Sequence, residues 1–557
     1  NKMKLIECVP NISEGRDNNI INAITNKLKS NKQIHLLDVD PGYDTNRTVI
    51  TFVGEPEHVI NAAYELILQT YDLIDMSKHE GAHPRMGATD VCPLIPISNV
   101  SEKECLKFAK ILAQKITDSL DIPIYMYEKS ATHKSRVNLA NIRSGEYEGF
   151  KDKIKLKEWK PDYGNPLFNS KFGCMAIGVR EFLIAYNINL NTNDKKIATD
   201  IALDIREKGR LKRNKNGVVI RNKNGIAERV PGKFKFCKAV GWYIDEYKQA
   251  QVSINLTNYK KTPIHKVFDE VRKQARKRGV RVTGSELVGL APKKAIYDAG
   301  LYYLKLQKKQ LGVPEVDIIR YAVQSLGLND ICSFNPNDKI IEYKVTSKSN
   351  IPNMTLSAFL NNVSRPTPTP GGGSVAAFGG AVGSSLAAMV SNLTIAKKGF
   401  EKHINFHNDR AINCQKNINK MERLIDEDSN SYDKVILAHR LPSKTKTQIK
   451  FKNKSIQKAI ILAADIPLEV LKLCSIIISD SLDIAKECNP NSISDIAVAA
   501  EFLQASAKSA AYNVKINAND LKDSKKLAYY EKIDYYLKNV HDSHIKIINI
   551  VDNILSK

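Results

Sequence analysis

The first half of the chain repeats one order of strands and helices, and this repeat restricts the fold more than any other feature of the sequence. Apolar alternation and helical apolar spacing predict a strand, a helix, two strands, a helix and a strand between "KLIECVP" and "TDVCPLIPI". The same order recurs from residue 182, beginning with "FLIAYNINL" and ending with "VRVTGSEL". A β-α-β-β-α-β order is typical of ferredoxin-like units. We therefore predict two such subdomains, which can face each other across a ligand-binding cleft.

The pattern changes after residue 326. Residues 327–354 lack helical periodicity and are predicted to be a linker, whereas the chain beyond them is helical. Leu386, Met389, Val390 and Leu393, for example, take positions i, i+3, i+4 and i+7 of one helix face. The predicted fold class is α+β followed by all-α, with two ferredoxin-like subdomains and then a helical bundle. The predicted divisions are 1–181, 182–326, 327–354 and 355–557.

The composition limits the classes of protein to consider. A chain of 557 residues is long for a single core, and 43% hydrophobic and 26% charged residues are ordinary for a soluble globular protein. The nine cysteines are scattered and form no C-x-x-C pair, so neither a disulfide framework nor a structural zinc site is indicated. The chain begins without an apolar run, and no later run of 18 apolar residues was identified. We expect a cytoplasmic protein that does not span a membrane.

The formal net charge of +24 allows two kinds of partner. One is a nucleic acid, and the other is a polyanionic small substrate attracted by the field of the protein. Aromatic residues, on which bases stack, make up only 7% of the chain, and many lysines lie on predicted helix faces as solubilising charge. Residues 209–235 hold two copies of "RNKNG" and predict a basic hairpin insertion, for which the sequence indicates no role. Charge alone does not choose between these partners.

The stretch "HEGAHPRMGATD" contains the letters of a zinc-protease signature at His79, Glu80 and His83. A zinc site would need both imidazoles on one helix face. Gly81 disfavours a helix by about 1 kcal/mol relative to Ala, and Pro84 pushes His83 toward extended geometry. We rank zinc below a turn that presents His83 beside Arg85, an imidazole that moves protons next to a cation that holds a carboxylate. A surface loop with solvated histidines is the simplest alternative.

A second conspicuous stretch is "PTPTPGGGSVAAFGGAVGSSLAA". It is neither a dinucleotide site, which needs a strand before the glycines, nor a P-loop, which ends in G-K-[ST]. A glycine nest opening a small-residue helix remains, with Ser374 as its expected N-cap and backbone N–H groups available to an anion. The alternative is tight helix packing, for instance at a subunit interface. The residues of this candidate anion-binding nest are Gly371, Gly372, Gly373 and Ser374.

Two aspartates in "ERLIDEDSNSYDKV" complete the set of candidate residues. Asp426 and Asp428 are two positions apart and therefore point about 200° away from each other on a helix, so that only one can face a core or cleft. From the residues alone, a solvated acidic helix face is the favoured interpretation.

Taken together, these motifs resemble those of formimidoyltransferase-cyclodeaminases, a family of bifunctional folate enzymes. The matching stretches are "ECVPNISEG", "LLDVD", "TNRTV", "HEGAHPRMGATDVCP" and "FLIAYNINL" in the first half and "PTPGGGSVAA" and "LIDED" in the second. The resemblance covers essentially the whole chain. It implies transfer of a formimino group from N-formimino-L-glutamate to N5 of tetrahydrofolate, followed by closure to 5,10-methenyltetrahydrofolate with release of ammonia. These steps complete the degradation of histidine to glutamate.

The resemblance also implies which residues act. The family's catalytic histidine matches His83, and the cyclodeaminase aspartate matches Asp428, whereas His79 is not implied to be catalytic. Asp40 and Arg85 match positions that line the transferase site. Asp40 is expected to fix the tautomer of His83, and Arg85 to bind a substrate carboxylate. The folate-binding segment matches the loop made of Gly164, Asn165, Pro166, Leu167, Phe168, Asn169, Ser170, Lys171, Phe172 and Gly173.

For partners, the resemblance implies tetrahydrofolate as co-substrate, with no metal and no nucleotide, and a homo-oligomer assembled through the helical half. The positive charge then suits a polyglutamylated folate that is held while it moves between two sites. Three rival hypotheses remain: the same fold with a formyl donor, a basic nucleic-acid-binding protein, and a scaffold with degenerate sites. The aromatic RNA-binding strand motif is not found, which counts against nucleic acid. The intact His83 and Asp428 count against a scaffold.

A first prediction follows from Gly81 and Pro84. If they keep the two histidines off a common helix face, exhaustive chelation leaves the expected transfer activity unchanged. The measurement is the transfer rate before and after dialysis against a chelator, with metal content determined on the same sample. Stoichiometric zinc whose removal ends transfer would contradict this interpretation.

Overall fold

The computed structural model describes residues 4–43, 45–81, 83–245, 247–345, 351–521 and 523–556. The chain divides into two compact units. One comprises Asn1–Ala299 with Val323–Thr346, and the other comprises Gly300–Ala322 with Ser347–Lys557. The described strands all lie in the first unit, and the C-terminal region is helical. The predicted class, α+β followed by all-α, is confirmed at this level.

The first sheet has a core of antiparallel strands extended by two parallel ones. Its strands run in the order β3, β4, β1 continued by β2, β5, β7, β6, and only the β5–β7 and β7–β6 pairs are parallel. Strands β6 and β7 were not predicted, because both are buried along nearly their whole length and show no polar alternation. The strands are β1 Leu5–Cys8, β2 Asn11–Ile12, β3 Ile34–Gly42, β4 Arg47–Gly54, β5 Thr89–Ser98, β6 Ile124–Glu128 and β7 Met175–Val179. The helices of this part are α1 Asn18–Ser30, α2 Pro56–Leu73, α3 Glu102–Leu120, α4 Leu139–Arg143 and α5 Glu146–Lys153.

The second sheet has four antiparallel strands in the order β11, β12, β8, β13. Helix α6 packs closely on it, since a Cβ on Gly241 would lie 2.1 Å from the backbone nitrogen of Thr199. The strands are β8 Ile184–Leu190, β9 Arg210–Leu211, β10 Arg229–Val230, β11 Cys237–Ile244, β12 Gln249–Leu256 and β13 Val282–Val288. The helices are α6 Lys195–Ile205 and α7 Ile264–Lys277.

The basic insertion is a hairpin, as predicted, and β9 pairs with β10 at its base. Its two "RNKNG" copies form equivalent turns. In each, an asparagine Oδ1 accepts hydrogen bonds from two backbone N–H groups, and the glycine, Gly217 or Gly225, has a positive φ. The repeated sequence therefore encodes a repeated turn.

Residues 327–354, expected to be a linker, carry regular structure where they are described. Two short helices lie there, and Ile340, Ile341 and Val345 are buried. These helices were not predicted, because they are too short to display an apolar stripe. Residues 346–350 of this segment lie outside the described residues. The four helices between the second sheet and this point are α8 Lys293–Leu306, α9 Glu315–Leu326, α10 Pro336–Lys339 and α11 Ile341–Val345.

The helical unit is organised around α13, which packs against α14 and α16. Its small residues allow these approaches: a Cβ on Gly380 would lie 2.7 Å from Met421 Cε, and one on Gly383 would lie 2.7 Å from Leu503 Cγ. The stripe thus packs within one chain. This agrees with the alternative of tight helix packing that the sequence left open. The helices are α12 Leu356–Val363, α13 Gly372–Ala396, α14 Ile404–His439, α15 Lys446–Glu487, α16 Ile493–Ala518 and α17 Asp523–Leu555.

Within the described residues, α13 is the one helix long and apolar enough to cross a membrane by length and composition. No such segment is expected from the sequence. Its most apolar window has a mean hydropathy of 1.5, and 56% of that window is buried inside the protein. A core helix of a bundle passes the same test, so this finding by itself is weak evidence of a membrane span.

A second prediction compares two glycines of α13. Gly383→Ala should destabilise the protein by about 1–3 kcal/mol, because the new methyl group meets Leu503 and the Ala499 carbonyl oxygen, 3.0 Å away. Gly379→Ala is the matched control, since its Cβ would make an ordinary contact 3.6 Å from Ser506 Cβ. The control should be neutral or stabilising, by up to roughly 1 kcal/mol. Urea unfolding followed by far-UV circular dichroism measures both, and equal stability of the two variants would refute the packing argument.

Candidate active sites

The segment that carries His79 and His83 is not helical where it is described, as the sequence predicts. Gly81 is required there because a Cβ would lie 2.4 Å from the carbonyl oxygen of Thr45. The two imidazoles contact consecutive residues at the start of β4. His79 Nε2 lies 2.8 Å from the Asn46 carbonyl oxygen, and His83 Nε2 lies 2.5 Å from Arg47 Nη1. In the described residues, no group of three or more His, Cys, Asp or Glu side chains is arranged to hold a metal ion.

His83 is half-buried in a cationic environment. A guanidinium only donates hydrogen bonds, so Nε2 of His83 accepts from Arg47 and the ring proton is assigned to Nδ1. Nδ1 is buried and has no hydrogen-bond partner among the described residues. Burial lowers the pKa of His83 below its ordinary 6.5, and the positive charges of Arg47 and Arg143 lower it further. The imidazole is therefore neutral at physiological pH and able to accept a proton.

A buried carboxylate holds the second of these cations. Asp90 is 1% exposed, accepts a hydrogen bond from the backbone N–H of Met86 and pairs with the guanidinium of Arg143. Neither Asp90 nor Arg143 was among the predicted site residues. Arg47 was not singled out either, although it is the arginine of the "TNRTV" motif. Arg143 had no sequence signal, because it lies 60 positions after His83 in a segment without a recognisable pattern.

Arg85 does not point a free guanidinium into the site. It is 7% exposed, and its Nη1 and Nη2 donate to the two carboxylate oxygens of Glu148 at 2.9 and 2.7 Å. It also pairs with Glu146 and donates from Nε to His79 Nδ1. These bonds raise the pKa of Arg85, mainly through Glu148. In this structure the bidentate face of Arg85 is taken by the carboxylate of Glu148, and the binding of a substrate carboxylate by Arg85 stays a prediction.

Asp40 is exposed on β3, where it pairs in register with Val49. Its charge acts on Arg47. Burial and the charge of Arg143 lower the pKa of Arg47, and the charges of Asp90 and Asp40 partly oppose this shift. No hydrogen bond joins Asp40 to His83 in the described structure, so the tautomer of His83 is not fixed by Asp40 as predicted. The influence of Asp40 on the imidazole is indirect, through Arg47.

The Gly164–Gly173 loop lies against the His83 segment. Gly87 and Gly173 face each other in an antiparallel bridge, and a Cβ on Gly87 would lie 2.0 Å from the Cys174 carbonyl oxygen. Tyr147 ties the two together. Its backbone N–H donates to the Arg85 carbonyl, its hydroxyl donates to the Ser170 carbonyl at 2.5 Å, and its ring lies 5.3 Å from that of Phe168. The structure thus brings the predicted folate segment and the predicted base into one site.

Within this loop the ten predicted residues differ in what they can do. Leu167 is 69% exposed, and Asn165 and Pro166 beside it are exposed as well. The Oδ1 of Asn169 accepts hydrogen bonds from the backbone N–H groups of Lys171 and Phe172, and these bonds shape the turn. Phe172 is fully buried and packs in the core, and its part in folate binding stays a prediction. The outer part of the loop is the part available to a ligand.

The second candidate site lies in the helical unit, where Asp428 of α14 meets the first turn of α13. Its Oδ2 lies 3.2 Å from the Ser374 hydroxyl oxygen, and the Ile425 carbonyl oxygen lies 2.9 Å from the same hydroxyl, so the two acceptors share its one proton. A Cβ on Gly373 would lie 2.1 Å from Asp428 Oδ1, so any larger residue there would displace the carboxylate. Burial raises the pKa of Asp428, and its hydrogen bonds to the Ser374 hydroxyl and backbone N–H limit the rise. The carboxylate is poised to take up and release a proton.

The glycine nest therefore faces a carboxylate of the protein itself. Gly371 is the N-cap of α13, which begins at Gly372. Ser374 lies in the first turn of the helix and is therefore not the N-cap, contrary to the prediction. Gly372 lies near Asn513 of α16. The other aspartate, Asp426, accepts a hydrogen bond from the backbone N–H of Ile351 at 3.0 Å, so the two aspartates serve different faces of α14.

Comparison with known proteins places the whole chain in one family. Residues 5–180 match the formiminotransferase domain, N-terminal subdomain, residues 185–346 the formiminotransferase domain, and residues 355–533 formiminotransferase-cyclodeaminase. A formimidoyltransferase-cyclodeaminase of Dictyostelium discoideum is 38% identical over 99% of both chains. A glutamate formimidoyltransferase of Streptococcus pyogenes serotype M1 is 39% identical over 55% of this chain and 94% of that protein. A methenyltetrahydrofolate cyclohydrolase of Methylorubrum extorquens is 36% identical over 31% of this chain and 82% of that protein. This chain belongs to the formimidoyltransferase-cyclodeaminase family, and the resemblance seen in its motifs is confirmed.

A third prediction tests the cations around His83. Arg47→Gln keeps a hydrogen-bond donor near Nε2 but removes a positive charge, so the pKa of His83 should rise toward 6.5. The neutral form then becomes protonated at higher pH than in the wild type. Nuclear magnetic resonance titration of labelled histidine, with His83→Ala to assign the signal, gives the pKa directly. Lys78→Gln, an exposed lysine of the same region, should leave it unchanged, and an equal pKa in the wild type and Arg47→Gln would rule out control by Arg47.

Proposed function

We propose that this chain transfers the formimino group of N-formimino-L-glutamate to tetrahydrofolate and then cyclises the 5-formimidoyltetrahydrofolate to 5,10-methenyltetrahydrofolate, releasing ammonia. The observation that carries this proposal is the match of both halves, in order, to bifunctional relatives over 99% of the chain. The products of the first step are L-glutamate and 5-formimidoyltetrahydrofolate. Both steps belong to one-carbon metabolism and to the degradation of histidine.

In the transfer step His83 is the proton carrier. N5 of tetrahydrofolate attacks the amidine carbon and forms a bond, the N5 proton passes to the neutral imidazole, and the bond to the glutamate nitrogen breaks as that nitrogen receives a proton. The lowered pKa of His83 supports the role of acceptor. Arg47 blocks Nε2 in the structure, and a carboxylate of formiminoglutamate is the partner that draws it away. Arg143, held by Asp90, remains as a fixed cation beside the reacting groups.

In the cyclisation step Asp428 is the proton relay. N10 attacks the formimino carbon, its proton passes to the carboxylate and then to the departing nitrogen, and one further proton from solvent completes ammonia. The raised pKa of Asp428 supports this role, because a carboxyl that titrates nearer neutrality exchanges protons more readily. Ser374 keeps the carboxylate oriented. Neither step routes a proton or an electron pair through a metal or a nucleotide.

The finer fold assignment is also a proposal. The order β11–β12–β8–β13, numbered within the repeat as 2-3-1-4, supports a ferredoxin-like subdomain, and the order β3–β4–β1–β5 of the first sheet supports another. We retain 1–181 and 182–326 as the two transferase subdomains, 327–354 as the connection and 355–557 as the cyclodeaminase domain. A polyglutamylated folate as the natural co-substrate and a cytoplasmic location complete the proposal. The charge of +24 supports the former.

Formiminoglutamate and tetrahydrofolate, supplied together, test the function. The expected result is methenyltetrahydrofolate absorbance with one ammonia released for each methenyl group formed. N-formylglutamate is the comparison donor, and an equal rate with it and no ammonia would establish the formyl alternative. Because one relative is named as a methenyltetrahydrofolate cyclohydrolase, loss of added methenyltetrahydrofolate should be followed in a parallel sample.

A fourth prediction separates the two reactions. His83→Ala should abolish transfer and leave the cyclisation of added 5-formimidoyltetrahydrofolate nearly unchanged, because the two side chains lie in different compact units. Asp428→Asn should do the reverse, since the amide keeps the shape but no longer relays a proton. Each rate is measured separately with its own substrate. Loss of both activities in either variant would contradict the separation.

A fifth prediction concerns assembly, which we propose to be a homo-oligomer through the helical unit. The exposed face of α13 carries no charge, and α16 beside it exposes a stripe of apolar side chains: Val498, Phe502, Tyr512 and Ile516. A second copy of the chain is the occupant that buries such a face without requiring a complementary charge. Phe502→Glu should reduce the mass measured by light scattering, whereas Leu555→Glu, at an exposed helix end, should not. An unchanged mass of the Phe502→Glu variant would move the contact elsewhere.

A further inference from the structure

A groove in the helical unit lies between α13 and α14 and is closed on a third side by the connection between α8 and α9. Its volume is about 560 Å³. The connection contributes Gln310 and Pro314, α13 contributes Met389 and Asn392, and α14 contributes Ile418 and Glu422. Gly373, Ser374 and Asp428 are not among its lining residues. The groove is therefore a second concave feature of this unit.

The third wall of the groove is fixed by hydrogen bonds and packing. Asn392 Nδ2 donates to the Gly312 carbonyl at 2.9 Å, and the backbone N–H of Leu311 donates to Asn408 Oδ1 at 2.9 Å. Gly312 sits so close to α14 that a Cβ would lie 2.2 Å from that of Ala411. The wall is held in place without a ligand, so binding would not require ordering it.

The groove offers hydrogen-bond acceptors that the protein leaves unused. Asn392 Oδ1 is buried and has no partner in the described structure, an arrangement that costs about 1–3 kcal/mol if nothing compensates it. Glu422 is an exposed residue of the groove lining, and partial desolvation of its carboxyl raises its pKa. The described lining residues include no lysine, arginine or histidine. Glu422 and Asn392 Oδ1 therefore favour a ligand that supplies N–H donors, and the carboxylate of Glu422 disfavours a polyanion beside it.

Six apolar residues also line the groove, beside the polar Gln310, Glu315, Ser385, Gln415 and Asn419. Met389, Leu393 and Ile418 line the groove together with two alanines and Pro314. Such walls bury the faces of a flat ring, while acceptors at its edge fix the orientation of the ring. A carboxylate pairs best with two adjacent N–H donors, as in an aminopyrimidine. Flat faces and a donor-rich edge are thus the two properties that the ligand needs.

We infer that the groove between α13 and α14 binds a flat nitrogen heterocycle with a 2-amino-4-oxopyrimidine edge, and that this ring is the pterin end of the folate used by the helical unit. The second clause rests on the proposed function. The carboxylate of Glu422 accepts hydrogen bonds from the amino group and the adjacent ring N–H, and Asn392 Oδ1 accepts one from a further donor of the ligand. Asp428 lies six residues later on α14, about 9 Å along the helix axis, so the groove positions the substrate and contributes no reacting group.

The test uses the full chain with free pterin, 2-amino-4-hydroxypteridine, as the probe. Titration calorimetry should show binding to the wild type that Glu422→Gln weakens about tenfold or more, since a hydrogen bond to a charged group contributes about 1.5–3 kcal/mol. Glu427→Gln, an exposed carboxylate on the same helix outside the groove, is the matched control and should bind like the wild type. Ser385→Trp, which fills the groove from α13, should abolish binding while circular dichroism shows an intact fold.

Kinetics distinguish a substrate site from an unrelated one. Pterin should inhibit the cyclisation of 5-formimidoyltetrahydrofolate competitively, and Glu422→Gln should raise KM for that substrate while kcat changes little. Equal pterin affinity in Glu422→Gln and Glu427→Gln would overturn the inference, as would noncompetitive inhibition. A wild type that cyclises its substrate but does not bind pterin also overturns it and leaves the proposed function standing. If pterin binds in a Glu422-dependent manner but no cyclisation is detected, the proposed function fails and the ring site is retained.

Discussion

Both candidate sites depend on positions where two stretches of chain approach more closely than any side chain would allow. In the first, the bridge between Gly87 and Gly173 joins the His83 segment to the loop that follows residue 163. In the second, the absence of a Cβ on Gly373 lets the carboxylate of Asp428 lie against the first turn of α13. An alanine in place of Gly87 would meet a backbone carbonyl oxygen at 2.0 Å, which is relieved only by moving backbone, whereas an alanine in place of Gly373 would meet Asp428 Oδ1 at 2.1 Å and would displace that carboxylate. The two glycines thus keep the His83 segment against the loop and the Asp428 carboxylate against the first turn of α13.

Buried ion pairs then decide which charges remain available to a substrate. Arg85 is satisfied by Glu148 and Glu146, whereas among the described residues Arg47 has only the acceptor nitrogen of His83 and the more distant charges of Asp40 and Asp90. A cation bonded to a neutral imidazole exchanges that partner for a carboxylate more readily than one already in a bidentate carboxylate pair, since hydrogen bonds between ionised groups are the stronger kind. The division between a structural arginine and a substrate-binding one follows from these partners and is independent of the net charge of the chain.

Much of this arrangement could be predicted from the sequence, and the parts that could not share a physical reason. The strand and helix order, the non-helical His83 segment and the repeated basic turn follow from local periodicity and from Gly and Pro placement. The pairing of Arg85 with Glu148 was not predicted, because Glu148 lies 63 positions away and local patterns carry no information on such pairs. Arg143 was missed for the same reason. The groove beside α13 was also missed, since its third wall comes from a connection without periodic structure.

The two reactive groups experience the same physical effect in opposite directions. Burial disfavours the charged form of each, which lowers the pKa of His83 and raises that of Asp428. The surroundings then adjust the two differently: Arg47 and Arg143 reinforce the shift of the imidazole, whereas Ser374 opposes the shift of the carboxyl by donating to its ionised form. His83 is thereby kept as an unprotonated acceptor, and Asp428 stays ionisable while binding protons more tightly than an exposed aspartate. Under the proposed mechanism these shifts suit His83 to act as a base and Asp428 to act as a two-way relay, with desolvation acting in both sites and the neighbouring donors and cations setting how far each shift goes.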